Sequence, residues 1–177
     1  MSSSEIPFPY ADEVSPPETK YVRPLQLSAS GARPHVLLAD GDPLCCLEFF
    51  QTLTEAGYHV TVAVNGMDAL LELRKSDHPG VALLADDLGG MNASDICNLM
   101  RGVGKRIYFI LYGNVTPADP VAHAAASGAD IYVPKDLLRG QLAAHVQEGL
   151  LRVGSGSDVP PSSAGEGEPG RPFGGPI

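Results

Sequence analysis

The sequence predicts an α/β domain in which five parallel strands form a doubly wound sheet with five helices. Three observations carry that expectation. Five short apolar runs alternate with five segments of helical apolar spacing. The links between them are short, so right-handed crossovers make the sheet parallel and place helices on both faces. The alternation fills residues 35–153, about 119 residues and a common size for one core.

The elements follow in order along the chain. His35–Ala39 (HVLLA) is a short apolar run ending at Asp40, suited to a strand buried on both faces. In the next segment Leu44, Leu47, Phe50/Gln51 and Leu53/Thr54 recur near helical spacing. Asp42 suits the N-cap, Pro43 the first turn and Gly57 the C-terminal stop. The β-branched run 58–64 is a second strand, and Asn65-Gly66 turns the chain. A helix over Met67–Ser76 places Ala69, Leu70 and Leu73 on one side, and Pro79-Gly80 breaks it. Val81–Ala85 is a third buried strand, followed by Asp86-Asp87, a loop, and a helix over Asp95–Gly102. Strand four covers 107–112. A short Ala-rich helix covers Pro120–Ser127 and strand five Ile131–Val133. The last helix runs over Leu137–Val153, with an inner stripe of Leu138, Leu142, His145/Val146 and Gly149/Leu150.

The flanks differ in kind. Residues 1–34 hold six prolines, and 16 of the 24 residues in 154–177 are Gly, Pro or Ser. Both are expected to be disordered tails, since neither can bury enough apolar surface to offset the entropy of ordering. Net charge is −9. No basic patch exists to neutralise a run of phosphates, so nucleic acid is not an expected partner. No apolar run approaches a membrane span and no secretory signal is visible. Three cysteines, two adjacent, make no disulfide framework, and a cytoplasmic, reducing compartment is expected.

In a doubly wound sheet, ligands gather outside the carboxyl ends of the strands. That edge collects Asp40, Gly41, Asp42, Ala85, Asp86, Asp87, Tyr112, Gly113, Pro134 and Lys135. With VLLADGDP, AGYHVTVAVNGMDAL, PGVALLADDLGGMNASDI, IYFILYGN and AAASGADIYVPKDL in that order, the sequence resembles a response-regulator receiver domain. The resemblance covers about 35–153 and implies a flavodoxin-like, receiver-like fold. It also implies an acidic pair that holds Mg²⁺, an aspartate after strand three that attacks a phosphoryl group, a Thr or Ser after strand four, and a lysine after strand five. Metal and lysine neutralise charge that would otherwise repel a carboxylate nucleophile.

Residue by residue, the match is partial. Asp40 corresponds to the first acid, but Gly41 stands at the second. Asp42 fits either a following acidic position or a plain N-cap. Pro79 and Met91 anchor the alignment on either side and place Ala85 at the phosphoacceptor position. A methyl group cannot attack phosphorus. Asp86, one residue on, is the alternative acceptor, although a one-residue shift turns a side chain to the other face of a strand. Tyr112 replaces the small hydroxyl residue with a ring expected to occupy the phosphoryl space. Lys135 is retained, paired with Asp40 or Asp86, and Tyr132 matches the family's aromatic switch.

The expectation is a pseudo-receiver: not an enzyme, without catalytic residues or a cofactor, and acting in two-component signal transduction by protein–protein contact without phosphorylation. Its partner would dock on the face of helix four, strand five and helix five (Val121, Ala125, Tyr132, Leu137, Leu138) or on the tails, with a homodimer as a further option. The alternative is a phosphorelay protein that takes phosphate at Asp86 from a histidine kinase, with Mg²⁺ on Asp40, Asp42 and Asp86. Other chemistry has weaker signals. Cys45, Cys46 and Cys97 are expected as buried small hydrophobes. The five histidines lack ligand spacing, and Gly89-Gly90 lacks the spacing of a dinucleotide loop. FPY near the start and RPFGGPI at the far end place aromatics among prolines, a composition that docks in aromatic grooves or serves as linker.

Overall fold

A computed structural model describes residues 31–155; the expected tails lie almost wholly outside them. The strands are β1 (His35–Ala39), β2 (His59–Ala63), β3 (Val81–Ala85), β4 (Tyr108–Gly113) and β5 (Ile131–Pro134). The helices are α1 (Pro43–Glu55), α2 (Gly66–Arg74), α3 (Ala93–Gly102), α4 (Pro120–Ala126) and α5 (Lys135–Gly154). All strand pairs are parallel, in the order β2-β1-β3-β4-β5. α1 packs beside α5, α2 beside α3, and α4 against β5. The order reverses beside β1, which brings the first crossover to one face and the later ones to the other.

The apolar runs become strands because both of their faces are covered. Every residue of β3 and β4 is buried. The N-caps are as specific. Asp42 accepts from the Leu44 amide at 3.0 Å. Asn65 accepts from the Asp68 amide while its own amide donates to the Asp68 carboxylate, and Asn92 and Asp95 repeat this reciprocal cap. Each satisfies donors the first turn would otherwise leave open. Asn65-Gly66 is therefore a helix start as well as a turn, and α3 begins two residues earlier than the sequence predicts. Gly66 is needed sterically: a Cβ there would sit 1.8 Å from the Met91 carbonyl oxygen, and its amide donates to Gly89. The β2–α2 turn is thereby seated against the loop after β3.

Three expectations are corrected. The apolar spacing in α1 identifies the inner face only in part, at Leu53. Cys45, Cys46, Phe49 and Leu53 are buried, whereas Leu44 is 76% exposed and Leu47 also faces solvent. Apolar residues surround this helix, so periodicity alone cannot select the inner side. α5 begins at Lys135 instead of Leu137, because Lys135 is drawn inward by a buried carboxylate and Pro134 can end a strand without an amide donor. Leu138 is fully buried and does not contribute to the expected docking face, whereas Val121, Ala125 and Leu137 are exposed. The three cysteines are buried and unpaired. No helix among the described residues is long and apolar enough to cross a membrane.

At the opposite edge, His35 and His59 are neighbours across β1 and β2 with ring centroids 4.7 Å apart. His35 Nε2 bonds Thr61 Oγ1 at 2.9 Å. Burial, with His59 adding to it, lowers the His35 pKa from its ordinary 6.5, against the opposing pull of Asp77 and Glu72. The folded state thus favours neutral His35, and the unfolded chain binds more protons once the pH falls below 6.5. Stability should hold above that pH, decline as the pH drops below it, and level off once folded His35 is itself protonated. Thermal unfolding of the wild type and His35→Gln between pH 8 and 5 checks this; a slope equal in both proteins would contradict it.

Candidate functional site

The carboxyl edge of the sheet holds a closed polar cluster. β1 delivers Asp40, which is only 2% exposed. Its Oδ1 accepts from the Asp42 amide at 2.8 Å, and its Oδ2 accepts from the Tyr112 hydroxyl at 2.9 Å. Lys135 Nζ, at the first residue of α5, lies 3.2 Å from the same Oδ2 and 3.6 Å from Asp42 Oδ2. The Cys46 thiol donates to the Asp40 carbonyl at 3.2 Å. Burial alone would raise the Asp40 pKa, but the Asp42 amide, Cys45, Tyr112 and Lys135 outweigh it and hold the carboxyl below its ordinary 3.8. Burial would likewise lower Lys135, but Asp40 outweighs it and holds the ammonium above 10.5. Both groups are therefore charged in the folded protein. Lys135 pairs with Asp40 and Asp42; the Asp86 alternative is not what the structure shows.

Tyr112 is the centre of the cluster. It is fully buried, its ring centroid lies 5.9 Å from Lys135 Nζ, and it tilts against Phe49 at 5.6 Å. Burial, with the Asp40 charge adding to it, pushes the phenol pKa far up. It is a permanent donor to Asp40, not an acid. Burial, with Asp40 again adding to it, raises the Cys45 thiol to about 12, and burial raises Cys97 to about 12 as well. Thiols this weakly acidic are poor nucleophiles.

Ala85 ends β3 beside Tyr112 in register and is buried. The Asp86 amide donates to the Tyr112 carbonyl at 2.8 Å, while its half-exposed carboxylate lies 3.6 Å from His123 Nε2 on α4. That separation is too long for a hydrogen bond. Tyr132 is turned inward and donates to the Val115 carbonyl at 2.6 Å, with the His123 ring edge-on to it at 4.8 Å. Gly113 makes the room, since a Cβ there would lie 2.7 Å from the Tyr132 hydroxyl.

The expected residues therefore divide into two groups. Asp40, Asp42, Tyr112 and Lys135 meet directly; Asp86 and Tyr132 gather around His123 on the α4 side. Sequence reasoning placed Gly113 on this edge beside Tyr112, and missed the bonding of Cys46 and the placing of His123, for which the sequence carries no spacing signal. Mg²⁺ requires near-octahedral oxygen ligation and parts reluctantly with water. Here Asp40 already accepts from an amide and a phenol and faces an ammonium, and Gly41 supplies no side-chain oxygen. Among the described residues no group of three or more His, Cys, Asp or Glu is placed to hold a metal ion. The donor set does not fit Mg²⁺.

The family profile described as "Response regulator receiver domain" matches residues 36–147. The chain is 30% identical over 120 residues to the DNA-binding response regulator MtrA of Mycolicibacterium smegmatis, covering 68% of this chain and 52% of that protein. It is 28% identical over 121 residues to response regulator MprA of Mycobacterium tuberculosis, covering 67% and 51%. The chain thus spans about half the length of these curated relatives. Among solved structures, the Francisella response regulator 1452 receiver domain is similar with a TM-score of 0.62 at 22% identity, over 68% of this chain and 98% of that one. A CheY-like receiver domain protein from Methanospirillum hungatei JF-1 has a TM-score of 0.63 at 18% identity, over 71% and 100%. These two likenesses show the fold.

Removing one member of the cluster leaves a buried charge or acceptor uncompensated. Lys135→Ala should destabilise by about 3–5 kcal/mol, the cost typical of breaking a buried ion pair from one side. Tyr112→Phe, which keeps the ring, should cost about 1.5–3 kcal/mol for a lost bond to a charged acceptor. Because both bonds end on Asp40 Oδ2, the double variant should lose measurably less or more than the sum. Urea unfolding of the four proteins measures this, and strict additivity would argue against a shared acceptor.

Proposed function

The chain belongs to the response regulator receiver domain family, and from that premise we propose that it is a pseudo-receiver, a protein–protein interaction module of two-component signalling that works without taking up phosphate. One observation carries the proposal: the Tyr112 hydroxyl is bonded to Asp40 inside a cluster closed by Lys135. The acid and the lysine that would serve metal and phosphoryl group in an active receiver are here bonded to a phenol and to each other. Ala85 stands at the acceptor position with no nucleophilic atom. The exposed residues of the α4–β5–α5 face, Val121, Ala125 and Leu137, are the proposed partner surface. MtrA is named as a DNA-binding response regulator. For this acidic domain we propose a protein partner instead.

Phosphate uptake is the deciding test. Incubation with acetyl phosphate or phosphoramidate and Mg²⁺, followed by intact mass measurement, should show no added phosphate. A stoichiometric adduct that disappears in Asp86→Asn would sink the proposal and establish Asp86 as the acceptor, fed by a histidine kinase. Mg²⁺ itself should bind weakly. Titration followed by amide chemical shifts should show no saturation below millimolar concentration, and tight saturation shifting Gly41, Asp42 and Asp86 would contradict this.

A further inference from the structure

β2 is an edge strand that bonds only to β1 among the described residues. The His59 amide donates to the Pro34 carbonyl, and the Asp40 amide donates to the Ala63 carbonyl. A parallel ladder alternates, so His59, Thr61 and Ala63 turn their backbone groups to β1, and Val60 and Val62 turn theirs to the open side. Edge strands are ordinarily guarded by charge or by proline. β5, at the other edge, has both, with Asp130 directly before it and Pro134 at its end. β2 has neither: residues 56–67 contain no Asp, Glu, Lys, Arg or Pro in a chain of net charge −9. We propose that this edge pairs with β2 of a second copy of the chain, antiparallel about a two-fold axis at Thr61, so that the two sheets become one.

The strand itself selects this partner. Val60-Thr61-Val62 reads the same in both directions, and Thr61 is the middle residue of β2. About an axis there, Val60 faces Val62 of the second copy and the two exchange both backbone hydrogen bonds. Thr61 faces Thr61, and His59 faces Ala63. Paired β-branched residues and paired threonines are favourable across strands, and no like charges are brought together, which would cost affinity elsewhere on an acidic chain. A five-residue strand alone falls short of the ~800 Å² per partner of a standard interface, and α1 extends it. Glu48 faces α5, with Arg139 at 3.3 Å. Phe50 lies ~200° further round the helix, on the flank toward β2, where α1 and β2 pack together. Phe50, Leu47 and Val62 are all exposed, Val62 by 39%, and the two-fold brings each toward the same residues of the second copy. This interface lies at the opposite edge of the sheet from the α4–β5–α5 face and leaves that face open to a protein partner. It does not depend on whether the chain takes up phosphate.

Sedimentation equilibrium of the full chain, from micromolar to millimolar concentration, tests it. The average mass should rise from 18.5 kDa toward twice that value. Val62→Lys puts an ammonium on the open edge, and Phe50→Lys puts one on the neighbouring helix. Each should weaken the dimer by about tenfold or more while circular dichroism stays native. Val121→Lys, on the other face, should leave it unchanged. Thr61→Cys should give a disulfide-linked dimer under mild oxidation, because opposed non-bonded residues lie ~4.5 Å apart at Cα, within disulfide reach. The three native cysteines are buried, so the wild type is the control for that reaction. A wild-type chain that stays at 18.5 kDa at millimolar concentration overturns the proposal. A dimer that survives in the folded lysine variants of β2 and α1, or one that Thr61→Cys fails to cross-link, also overturns it. A dimer lost only in Val121→Lys overturns it in favour of the α4–β5–α5 face.

Discussion

A carboxylate taken out of water at the end of the second strand of the sheet sets the terms for everything on that edge. Burying an ion costs several kcal/mol even after relaxation, and attraction to a partner offsets this only with close geometry and satisfied hydrogen bonds. Asp40 meets both conditions through partners from distant parts of the chain: the Asp42 amide in its own loop, the Tyr112 hydroxyl from β4 and Lys135 from the start of α5. The ion pair also decides local structure. It draws Lys135 inward, so that α5 begins at that residue without a side-chain cap.

Tyr112 and Ala85 make sense together. They are register neighbours on β3 and β4, both buried. A methyl group on one strand leaves space that a phenol on the next can fill, which is the pairing of small with large that keeps a core dense. The phenol brings a donor to the buried Asp40 carboxylate. The small residue and the ring are thus one arrangement of packing, with a chemical consequence at Asp40.

The other side of the same edge is looser. Asp86, His123 and Tyr132 approach one another around the space left by Gly113, and the Tyr132 hydroxyl donates to the Val115 carbonyl. The charge-locked pocket thus adjoins a side of the edge where the Asp86 carboxylate is half-exposed and Tyr132 is buried.

Most of the fold was legible in the residues. Buried strands such as VALLA and YFILY need no partner to be recognised, because water exclusion alone accounts for unbroken apolar runs, and the Asp42 cap is local hydrogen bonding. The pocket's composition was also legible, since Gly41, Ala85, Tyr112 and Lys135 are identities at positions. What the sequence could not decide was direction. The buried face of α1 depended on which side met the sheet, as Leu44 and Leu47 are as apolar as Cys45 and Phe49. The partner of Lys135, Asp40 and Asp42 instead of Asp86, depended on which way a carboxylate one residue past a strand end turns. The meeting of Tyr112 with Asp40 joins residues 72 positions apart. Such contacts arise only when the sheet brings β1 and β4 to either side of β3, because distance in space, and not along the chain, sets the strength of a charge interaction.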